Sequence, residues 1–169
     1  MNKLFALFLL MIFLLCSCGK TESEELLHYQ KYPFEGEFEL LREDTKFTLR
    51  ICGDALKGNG KSRDLVAEFI APESMKGVKI SRFEGKIIYS LSGIEFEEKE
   101  TPVSICDFAS YFELSASAKG FSKENGVTFA DLITDDGEKI RITFSQDGSP
   151  TKFEGEKMTI NVLSYKIKK

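Results

Sequence analysis

Phe34-Glu35-Gly36-Glu37-Phe38-Glu39-Leu40 decides the fold, because an apolar residue or glycine alternates with glutamate at every step. A period of two is the mark of a β-strand with one buried face and one wet face. The pattern returns at Phe47-Thr48-Leu49-Arg50-Ile51-Cys52. Glu43-Asp44-Thr45 between the two runs reads as a hairpin turn, so these strands are expected to pair antiparallel.

Toward the carboxyl end, Gly53 to Asp64 is a polar, glycine-rich loop, and Leu65 to Ile70 reads as a third strand. Pro72 and Gly77 bound a turn. Val78–Phe83, Lys86–Leu91 and Gly93–Glu97 are three further short strands, separated by Glu84-Gly85 and Ser92-Gly93. Turns so closely spaced leave no room for crossover helices and exclude a parallel α/β sheet. From Pro102 the period changes: Val103, Ile105, Cys106, Ala109, Phe112 and Ala116 recur at helical spacing, predicting a helix over 103–118 that Gly120 ends. Val127–Thr134 and Lys139–Ser145 flank an Asp135-Asp136-Gly137 hairpin turn. Asp147-Gly148 and Glu154-Gly155 mark two more turns before a closing strand, Met158–Lys168. On the amino side a short helix is expected from Ser23, stopped by Pro33. The pattern predicts a mainly β (α+β) fold. It is a single curved antiparallel sheet or open half-barrel of about nine or ten strands with one or two short helices.

The amino terminus is of another kind. Met1-Asn2-Lys3 precedes an unbroken apolar run from Leu4 to Leu15, shorter than the roughly 20 residues a membrane-spanning helix needs. Leu15-Cys16-Ser17-Cys18 resembles the bacterial lipobox, with a leucine three residues before the cysteine and a small residue next to it. The resemblance implies acylation of Cys18, with chains such as palmitate, and cleavage just before it. Cys16 fits worse, since bulky Leu15 would occupy the small-residue position. The expected organisation is a signal peptide over 1–17, a lipidated tether over 18–32 and a β domain over 33–169. The protein is then expected on the extracytoplasmic face of a cell membrane, held by its lipid anchor. Thr21-Glu22-Ser23-Glu24-Glu25 supplies a polar, acidic tether.

Twenty-three basic and 27 acidic residues give a net charge of −4. That balance disfavours nucleic acid as a partner. Fifteen phenylalanines and no tryptophan place most of the aromatic residues in the core.

Candidate chemistry is sparse. Ala55-Leu56-Lys57-Gly58-Asn59-Gly60-Lys61-Ser62 matches a loose phosphate-loop pattern, with alanine for the first glycine. Such a loop works between a buried strand and a helix amino terminus, whereas the residues after it alternate as a strand, so a plain surface loop is expected. His28 is the sole histidine and lies near the tether. There is no Gly-x-Ser-x-Gly elbow, no His-x-x-x-His pair and no Cys-x-x-Cys. Glu95, Glu97, Glu98 and Glu100, and Asp131, Asp135 and Asp136, read as wet strand edges and turns. No catalytic residue, metal ligand or cofactor is expected. Cys52 and Cys106 either form a disulfide, stabilising the fold by roughly 4 kcal/mol on the chain-entropy model, or remain buried thiols.

Three stretches carry a resemblance to a known family. Phe69-Ile70-Ala71-Pro72 to Gly77-Val78 is a strand ending in a proline turn, and Ile88-Tyr89-Ser90-Leu91-Ser92-Gly93-Ile94 is a strand, glycine turn and strand. Ile142 to Phe153, followed by Ile160-Asn161-Val162, places an Asp-Gly turn and a proline before the final strand. Together they resemble the lipoprotein-carrier fold of the LolA and LolB proteins. The resemblance implies an open half-barrel with helices plugging an apolar cavity that accepts acyl chains. On that reading Phe38, Phe47, Leu49, Phe69, Ile80, Phe108, Phe112, Phe129 and Phe144 line a concave face that holds an apolar ligand or lipid. The same residues read nearly as well as a filled core. The alternative function is a structural or interaction lipoprotein that binds an envelope protein through a sheet edge or face, with no small-molecule site.

Overall fold

A computed structural model of the chain describes residue 30 and residues 32–55, 63–83, 86–98, 108–112, 120–134 and 137–168. It contains one antiparallel sheet of 11 strands. They are β1 (Phe34–Arg42), β2 (Thr45–Gly53), β3 (Leu65–Ala71), β4 (Lys79–Phe83), β5 (Lys86–Leu91) and β6 (Ile94–Glu98), then β7 (Gly120–Glu124), β8 (Val127–Ile133), β9 (Lys139–Phe144), β10 (Pro150–Gly155) and β11 (Thr159–Ile167). A short helix, α1 (Phe108–Phe112), lies between β6 and β7, and a 3-10 turn (Glu73–Met75) links β3 to β4.

The strand order is β6-β5-β4-β3-β2-β1-β11-β10-β9-β8-β7. Two meanders, β1–β6 and β7–β11, are thus joined where the first strand runs beside the last, with Phe34 opposite Ile167 and Leu41 opposite Thr159. A bulge between Glu37 and Phe38 interrupts this seam. The extra residue on β11, Leu163, is turned out to solvent. Among the described residues β6 and β7 are the two edges, and the curved sheet does not close into a barrel.

The expected strands are present, with two differences. Gly120 opens β7 instead of ending a helix, which accounts for the eleventh strand. The hairpin from β7 to β8 turns on Asn125 and Gly126, both at positive φ (51° and 83°), as a two-residue type I′ turn requires. The turn expected at Glu154-Gly155 falls at Glu156-Lys157, because Gly155 still pairs with Ile140 and donates its N–H to the Met158 carbonyl at 3.0 Å. Of the helix predicted over 103–118, α1 is the described part. The helix expected from Ser23, the signal peptide, Cys18, His28, Cys106 and residues 56–62 lie outside the described residues.

Burial follows the pairing. Residues directly opposite each other share a face, so the register generates apolar rows across the sheet. Val162, Phe38, Leu49 and Phe69 form one row, and Ile51, Ala67, Ile80, Tyr89 and Phe96 form another. This inner face, continued by Ala130, Leu132, Ile140, Ile142, Phe144, Phe153 and Ile160, is the core. A helix of one turn has no stability of its own. It is held because Phe108, Ala109, Tyr111 and Phe112 are all buried against the inner face.

Candidate functional site

The inner face is where sequence reasoning places an apolar site, so its filling decides what it can do. Phe112 of α1 occupies the centre, stacked on Phe34 at 5.2 Å between ring centroids, edge-on to Phe38 at 5.2 Å and tilted against Phe153 at 5.3 Å. Phe38, Leu49, Phe69, Ile80, Phe108, Phe112 and Phe144 are all brought into this one buried cluster. Phe47 packs on its margin, edge-on to Phe69. Phe129 does not join them. Ala130 opposite Ile142 and Leu132 opposite Ile140 take the inward positions of β8, so Phe129 points outward, under the Arg141 guanidinium at 5.7 Å. The signal was Asp131, which shares the outward face of Phe129 and is held by Arg141 through two hydrogen bonds of 2.8 and 3.2 Å.

Beside α1, the space bounded by Leu65, Ile80, Arg82, Ile87, Phe108 and Ala109 is about 10 Å³. That is room for about one water, against the roughly 300–1,000 Å³ of a small-molecule site. Larger hollows open on the outer face. One of about 670 Å³ runs over Asp131, Ile133, Lys139, Arg141 and Glu154, and another of about 380 Å³ over Glu35, Glu37, Arg50 and Lys166. Their walls are ion-paired side chains at the surface: Arg50 meets Glu37 at 3.2 Å, and Lys168 meets Glu35 at 2.8 Å. The Lys168 hydrogen bond and charge hold the Glu35 carboxyl below the usual carboxylate range, and the hydrogen bond from Lys46 does the same for Glu39. Burial pushes the Tyr165 phenol, stacked on Phe34 at 5.4 Å, well above its ordinary range.

Two buried charged groups were not foreseen. The side chain of Glu138, in the turn between β8 and β9, is only 4% exposed. Tyr111 of α1 donates its hydroxyl to Glu138 Oε1 at 2.7 Å, and the Lys157 backbone N–H donates to the same oxygen at 3.1 Å. The Glu138 N–H in turn donates to Thr134 Oγ1 at 2.9 Å. This cluster pins α1 to the β8–β9 and β10–β11 turns of the carboxyl-terminal meander. It requires glycine at 155: a Cβ there would collide with Tyr111 Oη and lie 2.6 Å from Glu138 Oε1. Arg63, taken from the sequence as part of a polar loop, is buried instead. It sits over the Phe34 ring at 5.2 Å and donates to the Gln30 carbonyl. No local signal marks Glu138 or Arg63, since their partners come from distant segments.

Cys52 lies opposite Glu35 and Val66 and so faces outward, away from α1, as a free thiol. Among the described residues no group of three or more His, Cys, Asp and Glu side chains could hold a metal ion. No described helix is long and apolar enough to cross a membrane.

No protein-family model and no curated protein matches the chain. Solved structures do match in fold. An uncharacterized conserved protein from Thermus thermophilus is 11% identical with a TM-score of 0.50, over 88% of each chain. MucB is 12% identical with a TM-score of 0.52, over 89% of this chain and 60% of that one, so the chain spans about three fifths of MucB. A LolA superfamily protein from Nitrosomonas europaea is 10% identical with a TM-score of 0.48, over 86% of this chain and 93% of that one. At these identities the likeness is one of fold alone, and it rests on the first two structures.

Proposed function

We propose that this is a non-catalytic lipoprotein, anchored through acylated Cys18 on the extracytoplasmic side of a membrane, whose sheet docks another protein of the envelope. The observation that carries the reading is the filling of the inner face among the described residues. An acyl chain there would have to displace Phe112 from between Phe34, Phe38 and Phe153, whereas apolar surface is freely offered at Leu91, Ile94 and Phe96 near the β6 edge. The lipobox-like Leu15-Cys16-Ser17-Cys18 supports the anchor. MucB, similar in fold, is itself found in complex with MucA.

Native mass spectrometry of the protein purified from membranes tests this. The expected species is a chain beginning at an acylated Cys18 with no additional lipid, and photo-crosslinking in cells is expected to trap a defined envelope protein on the sheet. A stoichiometric, non-covalent lipid adduct overturns the reading in favour of an apolar-ligand carrier.

A further inference from the structure

The row Ile51, Ala67, Ile80, Tyr89, Phe96 runs from complete burial into solvent within three strands: Ile80 is 5% exposed and Phe96 is 62%. Leu91 and Ile94, opposite each other across the last hairpin, are 48% and 60% exposed on the same face. The core therefore continues, uncovered by any described segment, onto an edge strand.

The backbone of that strand is equally open. Ser92 and Gly93 both have positive φ (52° and 83°), the signature of a two-residue type I′ turn. In such a hairpin the closing pair, Leu91 with Ile94, exchanges hydrogen bonds, as does Tyr89 with Phe96. The alternation leaves the N–H and C=O groups of Glu95 and Glu97 directed out of the sheet, where no described strand meets them. Their side chains make the other face of β6 acidic, with Glu97 held by Lys86 at 2.9 Å.

We propose that β6 is the docking strand for an extended segment of a partner protein in which apolar residues alternate with lysine or arginine, added to the sheet as a twelfth strand. The proposal rests on the interaction reading above and names the partner's chemistry. Apolar side chains of the segment cover Leu91, Ile94 and Phe96, its basic side chains lie beside Glu95 and Glu97, and its backbone completes the ladder. The same charge argues against other occupants. A second copy paired through β6 would set glutamate beside glutamate, and anionic headgroups would meet an acidic strand. The opposite edge is equally open in its backbone but lacks the apolar stripe: β7, Gly120-Phe121-Ser122-Lys123-Glu124, has a single large apolar residue and carries a lysine, the ordinary way of blunting an edge.

The test uses the full-length protein in zwitterionic nanodiscs and two labelled ten-residue peptides, one alternating lysine with valine and one alternating glutamate with valine. The basic peptide is expected to bind at least tenfold more tightly than the acidic one, and to slow amide exchange at β6. Joint Ile94→Ser and Phe96→Ser substitution weakens it at least tenfold, and joint Glu95→Lys and Glu97→Lys substitution reverses the preference. These side chains are exposed, so an unchanged thermal melt confirms that each variant is folded. Equal binding of the two peptides, a preference that survives charge reversal, or unchanged exchange at β6 overturns the proposal. A photo-crosslinking residue in cells at Glu95, and another at Thr151 on the outer face, separates the two claims. A partner trapped only from Thr151 overturns the β6 assignment and leaves the interaction reading standing, while a partner trapped from neither position overturns both.

Discussion

Replacing Phe112 by alanine asks whether α1 is core or a removable plug. The ring is 1% exposed. Burying a phenylalanine side chain contributes about 2–3 kcal/mol. Its three ring contacts, at centroid distances of 5.2, 5.2 and 5.3 Å, each add about 0.5 kcal/mol or more. The expected loss is about 4 kcal/mol, inside the roughly 3–5 kcal/mol that buried Phe→Ala changes cost. For a domain of this size that lowers Tm by about 10–15 °C. With no tryptophan to report on unfolding, urea denaturation followed by far-ultraviolet circular dichroism is the suitable assay. The midpoint should fall with the slope unchanged. A loss under about 1 kcal/mol, together with new binding of a fluorescent fatty acid, refutes the reasoning and makes α1 a lid over a ligand site.

Four further outcomes follow from the geometry. Tyr111→Phe leaves a buried carboxylate oxygen without its hydroxyl donor and should cost about 1–3 kcal/mol. Gly155→Ala should cost a similar amount by driving a methyl group into Tyr111 Oη, and a wild-type urea midpoint for either variant removes the Tyr111–Glu138 clamp from the account. The carboxyl groups of Glu35 and Glu39 are held below their ordinary pKa of 4.5 by Lys168 and Lys46. Their contribution to stability is therefore complete above about pH 5 and is lost as pH falls below about 4.5 through the folded values. Glu35→Gln should flatten that part of the midpoint-against-pH curve, an effect that salt at about 1 M also suppresses; an unaltered acid limb counts against the pairing. Cys52 faces away from α1, so iodoacetamide should label it in the folded protein without reductant. Protection of both Cys52 and Cys106, with a mass lower by two hydrogens, would instead establish a disulfide between them.

Much of the sheet could be read from the chain because burial on one face prints a period of two, and Phe34 to Leu40 and Phe47 to Ile51 print it clearly. β7 escaped because Phe121 is the single large apolar residue in five, and its Asn125-Gly126 turn was the only strong local signal. In β8 both alternating sets carry apolar residues, Phe129 and Ile133 against Ala130 and Leu132, so the face had to be settled by the register with β9. The filling of the inner face was one of two readings that the apolar pattern left open. It depends on α1 meeting β1 and β10 and on Tyr111 reaching Glu138, contacts between segments with no local signature.

Joining the first strand to the last has a consequence for how the molecule is made. Each meander closes through neighbouring hairpins, yet β1 has no partner on one side until β11 exists. Until then it offers a second bare ladder, lined by Phe34, Phe38 and Leu40, and the long-range zipping of β1 to β11 is expected to be the slow step of folding. The same closure leaves Pro33 and Lys168 one hydrogen bond apart, at 2.8 Å. A circular permutant that fuses them and opens the Ser92-Gly93 turn would convert that distant pairing into a local hairpin, and should reach the same sheet faster.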